Sequence, residues 1–453
     1  MPEPGATRGP RSAAATPVVV IRGGTVVDAG GERRADVVVR AGTVVAVAPD
    51  AAVPRGATVL DAGGCLVAPG LVDLHTHLRQ PGGEDAETVE SGARAAALGG
   101  YTALVAMPNT DPPIDSAAVA LEVLSLGTEA PCAVHVAGAI TVGRAGEHLA
   151  PMGELAALGV RLFTDDGAGV QDAAVMRRAL EYARGLGVTL AQHCEDEALA
   201  GGGHMHEGEW SSRLGVPGIP AEAEELMVAR DIALARLTGG RVHFLHLSTA
   251  RSAAFVAEAK AQGLAVTAEV TPHHLSLTHA ELAGYDPVFK VNPPLRTDAD
   301  VAALRAACAS GTVDAVATDH APHPPERKDV PLDSAPPGML GLQTALPVVL
   351  GALADGHGTP AMSARHVLAL LSWQPARIAG LTPEQGGDQG GPICEGADAN
   401  ICVIDTARTW EVDTHRLASV SRNTPWAGRV LTGQVRHTVL RGEPVVVDGE
   451  ARR

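Results

Sequence analysis

Between residues 71 and 323, short apolar, β-prone runs alternate with alanine-rich stretches, and no other feature of the chain narrows its fold so far. The runs are LVDLHTH, YTALVAMPN, CAVHVAGAI, VRLFTDD, VTLAQHCED, VHFLHLS, AVTAEVTPHH and VDAVATDHAPH, eight in all. Between them lie segments of helical composition, among them ETVESGARAAALGG, DAAVMRRALEYARGLG, AEAEELMVARDIALARLTGG and ARSAAFVAEAKAQG. Strands joined through helices pair in parallel, because parallel neighbours need a crossover connection. Eight repeats predict an α/β fold of the (β/α)8 TIM-like barrel type, whereas an open doubly wound sheet allows the alternation without requiring eight.

The two ends of the chain have a different texture. VVVIRGGTVVDAGG, ADVVVRAGTVVAVAP and ATVLDAGGCLVAPG are β-branched runs broken by glycine, and ANICVIDTART and WAGRVLTGQVRHTVLRGEPVVVDGE repeat that pattern near the C-terminus. They predict one small accessory β domain formed from both ends, residues 16–68 and 386–453, beside a barrel over 69–385. Residues 1–15, rich in Pro, Ala and Gly, are expected to be a disordered tail.

The formal charge of −17 comes without any block of lysine or arginine, which argues against nucleic acid as a partner. No run of about 18 apolar residues and no signal-peptide core is present, so neither a membrane span nor export is expected. The six cysteines are scattered with no CxxC pair, as in a reduced, cytoplasmic protein.

The polar residues of the eight runs fall mostly at their C-terminal ends, the end of such a barrel where loops converge on one mouth. His75 and His77 stand two apart, so on a strand both imidazoles share a face. His193, His246 and Asp319 end the fifth, sixth and eighth runs, and Asp165-Asp166 end the fourth. Histidines and carboxylates repeated at separate strand ends predict a metal site, and imidazole nitrogen suits zinc. Asp172, at the start of a helical stretch, reads instead as an N-cap or surface carboxylate.

The strings DLHTHLRQPG, VAMPNTDPPID, FTDDGAGVQDAAVM, AQHCED, HFLHLST, TPHHLSLT, KVNPPLR and ATDHAPH are similar to those of class I dihydroorotases in the amidohydrolase superfamily. The likeness runs from Gly70 to about Leu381. It implies a zinc-dependent cyclic amidase that interconverts N-carbamoyl-L-aspartate and L-dihydroorotate in pyrimidine (UMP) synthesis. His75 and His77 would hold a first metal, His193 and His246 a second, with one or two Zn2+ per chain. Many amidohydrolases bridge two metals with a carboxylated lysine after the fourth strand. Here the only lysines are Lys260, Lys290 and Lys328, all later in the chain, and the resemblance to class I members, which have aspartate there, implies Asp166 as bridging or terminal ligand, with Asp165, on the opposite face, the less favoured neighbour. Asp319 would be both ligand and proton shuttle, since a metal acidifies water and a neighbouring carboxylate can carry its proton to the leaving nitrogen.

By the same resemblance Arg79, Asn109 and His323 bind the substrate carboxylate, Asn292 the ring, and the loop at Pro337 and Gly338 the ring's amide edge. The pair Pro337-Gly338 departs from the family's more usual aromatic-glycine. His273 and His274 read as lining around a full metal shell, and His204, His206 and His243 as exposed or satisfied core histidines. Cys194, beside His193, has no neighbour that would make it a nucleophile. Two rival readings are a hydantoinase or allantoinase, which typically keeps the lysine, and an inactive scaffold subunit of aspartate carbamoyltransferase, which would have lost ligands. A homo-oligomer and an aspartate carbamoyltransferase partner are both compatible with the resemblance.

Overall fold

The computed structural model describes residues 17–354 and 361–452; the tail expected over residues 1–15 lies outside them. Each apolar run contains a strand: β1 Leu71–Thr76, β2 Tyr101–Ala106, β3 Ala133–Val136, β4 Leu162–Phe163, β5 Thr189–Gln192, β6 Arg241–Phe244, β7 Val266–Val270 and β8 Ala315–Val316. The first three pair in parallel, and so do β4 to β8 in chain order. Parallel bridges link the two groups, from Gly138 to Phe163 and from Thr76 to His320. Backbone bonds cross both seams, Thr164 N–H to the Gly138 carbonyl at 2.8 Å and His77 N–H to the His320 carbonyl at 2.9 Å. The eight strands therefore close into a ring in which each has two neighbours, and no edge is left to pair with another chain.

Helices fill the connections: α1 Val89–Leu98, α2 Ala117–Leu126, α3 Met152–Ala157, α4 Ala173–Leu186, α5 Glu222–Thr238, α6 Ala250–Ala261 and α7 Asp298–Ser310, with α8 Ala345–Ala354 after β8. The chain is thus α/β. Several helices begin where a side-chain oxygen can satisfy free N–H groups. Thr88, Thr249 and Thr297 cap α1, α6 and α7, and Asp172 caps α4 by accepting from Ala174 N at 2.7 Å.

The chain ends form two further sheets. One has four strands in the order Thr43–Ala48, Asp36–Arg40, Val18–Arg22, Thr58–Asp61. The other has seven and is joined where Leu66–Pro69 pairs antiparallel with the start of Ile401–Glu411. Val19, Ile21 and Val37 of the first pack with Val67, Ile401 and Val439 of the second in one buried cluster. Gly70 carries the chain from this region into β1, and a Cβ there would lie 2.0 Å from Thr102 Oγ1. Only glycine fits that crossing. No helix among the described residues is long and apolar enough to cross a membrane.

Residues 417–426, which lie between C-terminal strands, return to the ring: the Asn423 side chain accepts from His323 N at 3.1 Å and donates to the Ala321 carbonyl at 3.0 Å. Glu87, just before α1, accepts from Val420 N at 3.1 Å and meets the Ser419 hydroxyl.

Candidate metal centre

Where the ring strands end, six side chains from five of them meet. Asp166 Oδ1 lies 3.4 Å from His75 Nε2, 3.5 Å from His193 Nδ1 and 3.6 Å from His246 Nε2, while its Oδ2 is 3.5 Å from His77 Nε2. Asp319 Oδ1 stands 3.1 Å from His77 Nε2 and 3.5 Å from His75 Nε2. None of the six is more than 7% exposed. Two overlapping groups, His75–His77–Asp319 and His75–Asp166–His246, each bring their ligand atoms within 4.8 Å of one another. His75 Nε2 is buried without a hydrogen-bond partner, and His193 Nδ1 faces His246 Nε2 at 3.0 Å. A buried, unsatisfied nitrogen among carboxylate oxygens is costly unless a cation completes it. The donor set fits a metal ion.

Alternation along the chain sends the paired aspartates to opposite sides. Asp165 turns from the cluster to accept from Ile140 N at 2.8 Å and Thr141 N at 3.1 Å, bracing the preceding loop. Asp166 faces inward and touches all four histidines. Burial works against its negative charge, but His75 first, then His193 and His246, hold its carboxyl well below the usual carboxylate range. The Asp319 carboxyl is likewise held far down against burial by His75 and His77. Both aspartates are therefore anionic. Burial pulls His77 below its ordinary value, with the Arg79 guanidinium adding to the effect.

The backbone is strained at these positions. Arg79, His246 and Asp319 have φ of 60°, 30° and 45°, and Arg144 has 55°. Non-glycine residues rarely adopt this region, and such strain gathers at functional sites. A hydrogen-bonded base holds Asp319 in place: buried Asp73 accepts from Thr318 N at 2.8 Å and Thr318 Oγ1 at 2.6 Å. Burial pushes the Asp73 carboxyl up to about 6 in spite of those bonds.

The residues expected to meet substrate line the same mouth, with some of their atoms already engaged. Arg79 Nε donates to the Pro322 carbonyl at 3.2 Å, and among the described residues its terminal nitrogens meet no hydrogen-bond partner. Asn109 Oδ1 receives His77 Nδ1–H at 2.8 Å, leaving its amide group as the free end. Asn292 Nδ2 donates to Glu195 Oε1 at 3.0 Å, while its Oδ1 is buried and unpartnered. His323 Nε2 donates to the Pro337 carbonyl at 2.8 Å. Burial, Arg79 and Lys328 push its imidazole down to about 3, so it is neutral. Gly338 N–H donates to the Lys290 carbonyl at 2.8 Å. The Pro337 carbonyl and Gly338 N–H, expected to meet the ring's amide edge, are thus committed to His323 and Lys290.

The other histidines are held structurally. His243 sits between Glu269 Oε2 at 3.0 Å and Thr267 Oγ1 at 2.8 Å. His274 bonds Thr271 Oγ1 at 2.8 Å and the Pro293 carbonyl at 3.0 Å, whereas His273 Nε2 is buried without a partner. His204 and His206 meet Lys290 and Arg296. All six cysteines are free, and burial pushes the Cys194 thiol well up.

The sequence reading passed over three groups at this site. Glu269 accepts from His75 Nδ1–H at 3.1 Å; its signal was the one acid inside the apolar run AVTAEVTPHH. Arg144 donates to the Asp166 carbonyl at 2.7 Å, and its Nε is buried without a partner. Asn423 also donates to the Gly338 carbonyl at 3.1 Å, and nothing local in its sequence marks it.

The structure is similar to solved cyclic amidases. Superposition on dihydropyrimidinase from Brevibacillus agri gives a TM-score of 0.82 at 24% identity, covering 96% of both chains. An L-hydantoinase from Arthrobacter aurescens gives 0.83 at 24%, covering 96% of this chain and 97% of that one. At these identities the likeness is one of fold alone. Sequence relatives narrow the class. Residues 64–252 match the family described as dihydro-orotase-like. The dihydroorotase of Anaeromyxobacter dehalogenans strain 2CP-C is 50% identical over 441 residues, 96% of this chain and 99% of that protein. The dihydroorotase of Mycobacterium tuberculosis is 49% identical over 438 residues, again 96% and 99%. The chain belongs to the dihydroorotase family.

Proposed function

We propose that this protein is a zinc-dependent enzyme that interconverts N-carbamoyl-L-aspartate and L-dihydroorotate in de novo pyrimidine biosynthesis. Its scaffold would be a (β/α)8 barrel over residues 69–385 with a composite β domain from 16–68 and 386–453, in the cytoplasm. The observation that carries the reading is Asp166, whose carboxylate stands 3.4 to 3.6 Å from imidazole nitrogens of His75, His77, His193 and His246. It takes the place a carboxylated lysine would fill. His75, His77, Asp166, His193, His246 and Asp319 are the proposed ligands, for one or two zinc ions.

Bound there, zinc supplies Lewis acidity toward a carbonyl oxygen and lowers the pKa of water toward about 7. The protein's own groups do the rest. Asp319, held anionic, accepts the proton of the attacking water and returns it to the ring nitrogen as the amide bond breaks. In the synthetic direction it takes the proton from that nitrogen and delivers it to departing water. The free terminal nitrogens of Arg79 suit two parallel hydrogen bonds to the substrate carboxylate. The Asn109 amide can donate to that carboxylate without adding charge; neutral His323, its one N–H held by the Pro337 carbonyl, would have to release that bond to do the same, and the unpartnered Asn292 Oδ1 can accept an N–H from the ring.

The test is ring opening of dihydroorotate by the purified, metal-quantified protein, with hydantoin and allantoin as controls. Turnover of dihydroorotate is expected, with a loss of about 10²–10⁴ in kcat for Asp319→Asn. Turnover of a control substrate alone, or activity untouched by a chelator, overturns the proposal. No turnover in any metal-loaded state favours the scaffold reading instead.

A further inference from the structure

Inside the ring, below the metal cluster, runs a chain of side chains that no metal contact requires. Thr267 and Glu269 are two apart on β7, so both face inward, and His243 on β6 lies opposite Thr267 in the strand register. Thr267 Oγ1 is 2.8 Å from His243 Nδ1, His243 Nε2 is 3.0 Å from Glu269 Oε2, and Glu269 Oε1 is 3.1 Å from His75 Nδ1. His243, Glu269 and His75 have no exposed surface at all. The chain crosses the interior from β6 and β7 to β1.

At Glu269 the hydrogen-bond accounting allows one arrangement. An ionised carboxylate only accepts, so both imidazoles must present N–H to Glu269. His75 then carries its proton on Nδ1, and its Nε2, when the ring is neutral, is left with a bare lone pair. That atom is the one buried without a partner, 3.4 Å from Asp166 and 3.5 Å from Asp319. Without the carboxylate, the proton could move to Nε2 and be donated to either aspartate, which would close the metal's place. A buried carboxylate is itself costly unless both oxygens are bonded, and His243, steadied by Thr267, supplies the second bond.

We propose that Glu269 is a positioning residue for metal loading: it fixes the tautomer and ring plane of His75 so that Nε2 is offered to the metal, and His243 holds Glu269 in register. The proposal rests on the reading of His75 as a ligand. Outer partners of this kind alter metal affinity by about 10–100-fold.

The test is competition for zinc against a graded chelator, read as bound metal, with the melting temperature of each metal-free protein measured in parallel. Glu269→Gln can keep a hydrogen bond to each imidazole while removing the charge. It is expected to weaken zinc binding about 10-fold and to melt, metal-free, close to the unaltered protein. Glu269→Ala is expected to weaken binding about 100-fold; if it fails to fold, the Gln variant decides. Zinc held within twofold of the unaltered protein by the Gln variant, or affinity falling only in step with metal-free stability, overturns the proposal. If the unaltered protein itself binds no zinc, or His75→Asn binds it equally well, the fault lies with the metal-site reading and not with Glu269.

Discussion

Asp319 and His246 hold left-handed backbone at φ of 45° and 30°, conformations that cost free energy and persist only where surrounding contacts impose them. For Asp319 the imposing contact is the Asp73–Thr318 pair, which locks the residue just before it. His323 shows a different constraint on a single side chain. Burial, then Arg79 and Lys328, hold its imidazole at about 3 in the fold, against about 6.5 in an unfolded chain. Its contribution is therefore intact above pH 6.5. As pH falls from 6.5 toward 3, the unfolded chain takes a proton that the folded one refuses, and stability drops by at most about 1.4 kcal/mol per pH unit. Partial exposure of the ring makes the true slope smaller. His323→Asn should lose less stability than the unaltered protein between pH 6.5 and 4, as urea titrations at several pH values would show. Equal slopes would mean that His323 is not held neutral in the way described.

At the scale of elements, the segment 417–426 ties the chain's C-terminal part to the mouth of the ring. The Asn423 side chain meets His323 N, the Ala321 carbonyl and the Gly338 carbonyl, all from loops that follow β8. Asn423→Ala strips three backbone groups of partners at a site only 6% exposed. A loss of about 2–3 kcal/mol is expected, together with a raised KM for dihydroorotate as His323 and the Gly338 loop relax. An unchanged KM with lowered stability would limit Asn423 to a structural part. This element was not legible in the sequence, because its partners lie about 100 positions away and its own residues look like any polar loop. The ring strands were legible because each must be apolar along its length, and the metal residues because they interrupt that pattern at the strand ends. Asp166 over Asp165 came from the family resemblance, with alternation saying only that the two face opposite ways. Glu269 broke the same pattern in mid-strand, yet one acid in a strand does not reveal which two imidazoles it will meet.

Taken as a whole molecule, the ring has a weak side that the metal would reinforce. β4 and β8 contribute only two ladder residues each, and the seams beside them, β3 to β4 and β8 to β1, are single bridges. The proposed ligands Asp166 and Asp319 follow those two strands, while His75 and His77 come from β1 and just beyond it, so an ion bound to them would clamp the β8–β1 seam directly and hold the end of β4, beside the thin β3–β4 seam, to β1 across the mouth. Binding to the folded state alone adds about 2.7 kcal/mol when free zinc is 100 times its Kd. For a chain of 453 residues that corresponds to about 3 °C in melting temperature. Removing zinc with a chelator should therefore lower the melting point by a few degrees and speed amide hydrogen exchange first around Gly138, Phe163, His77 and His320. Restored zinc should reverse both effects. Exchange that rises evenly over all eight strands, or a melting point that does not move, would show that the ring closes without help from the ion and that the cluster serves chemistry alone.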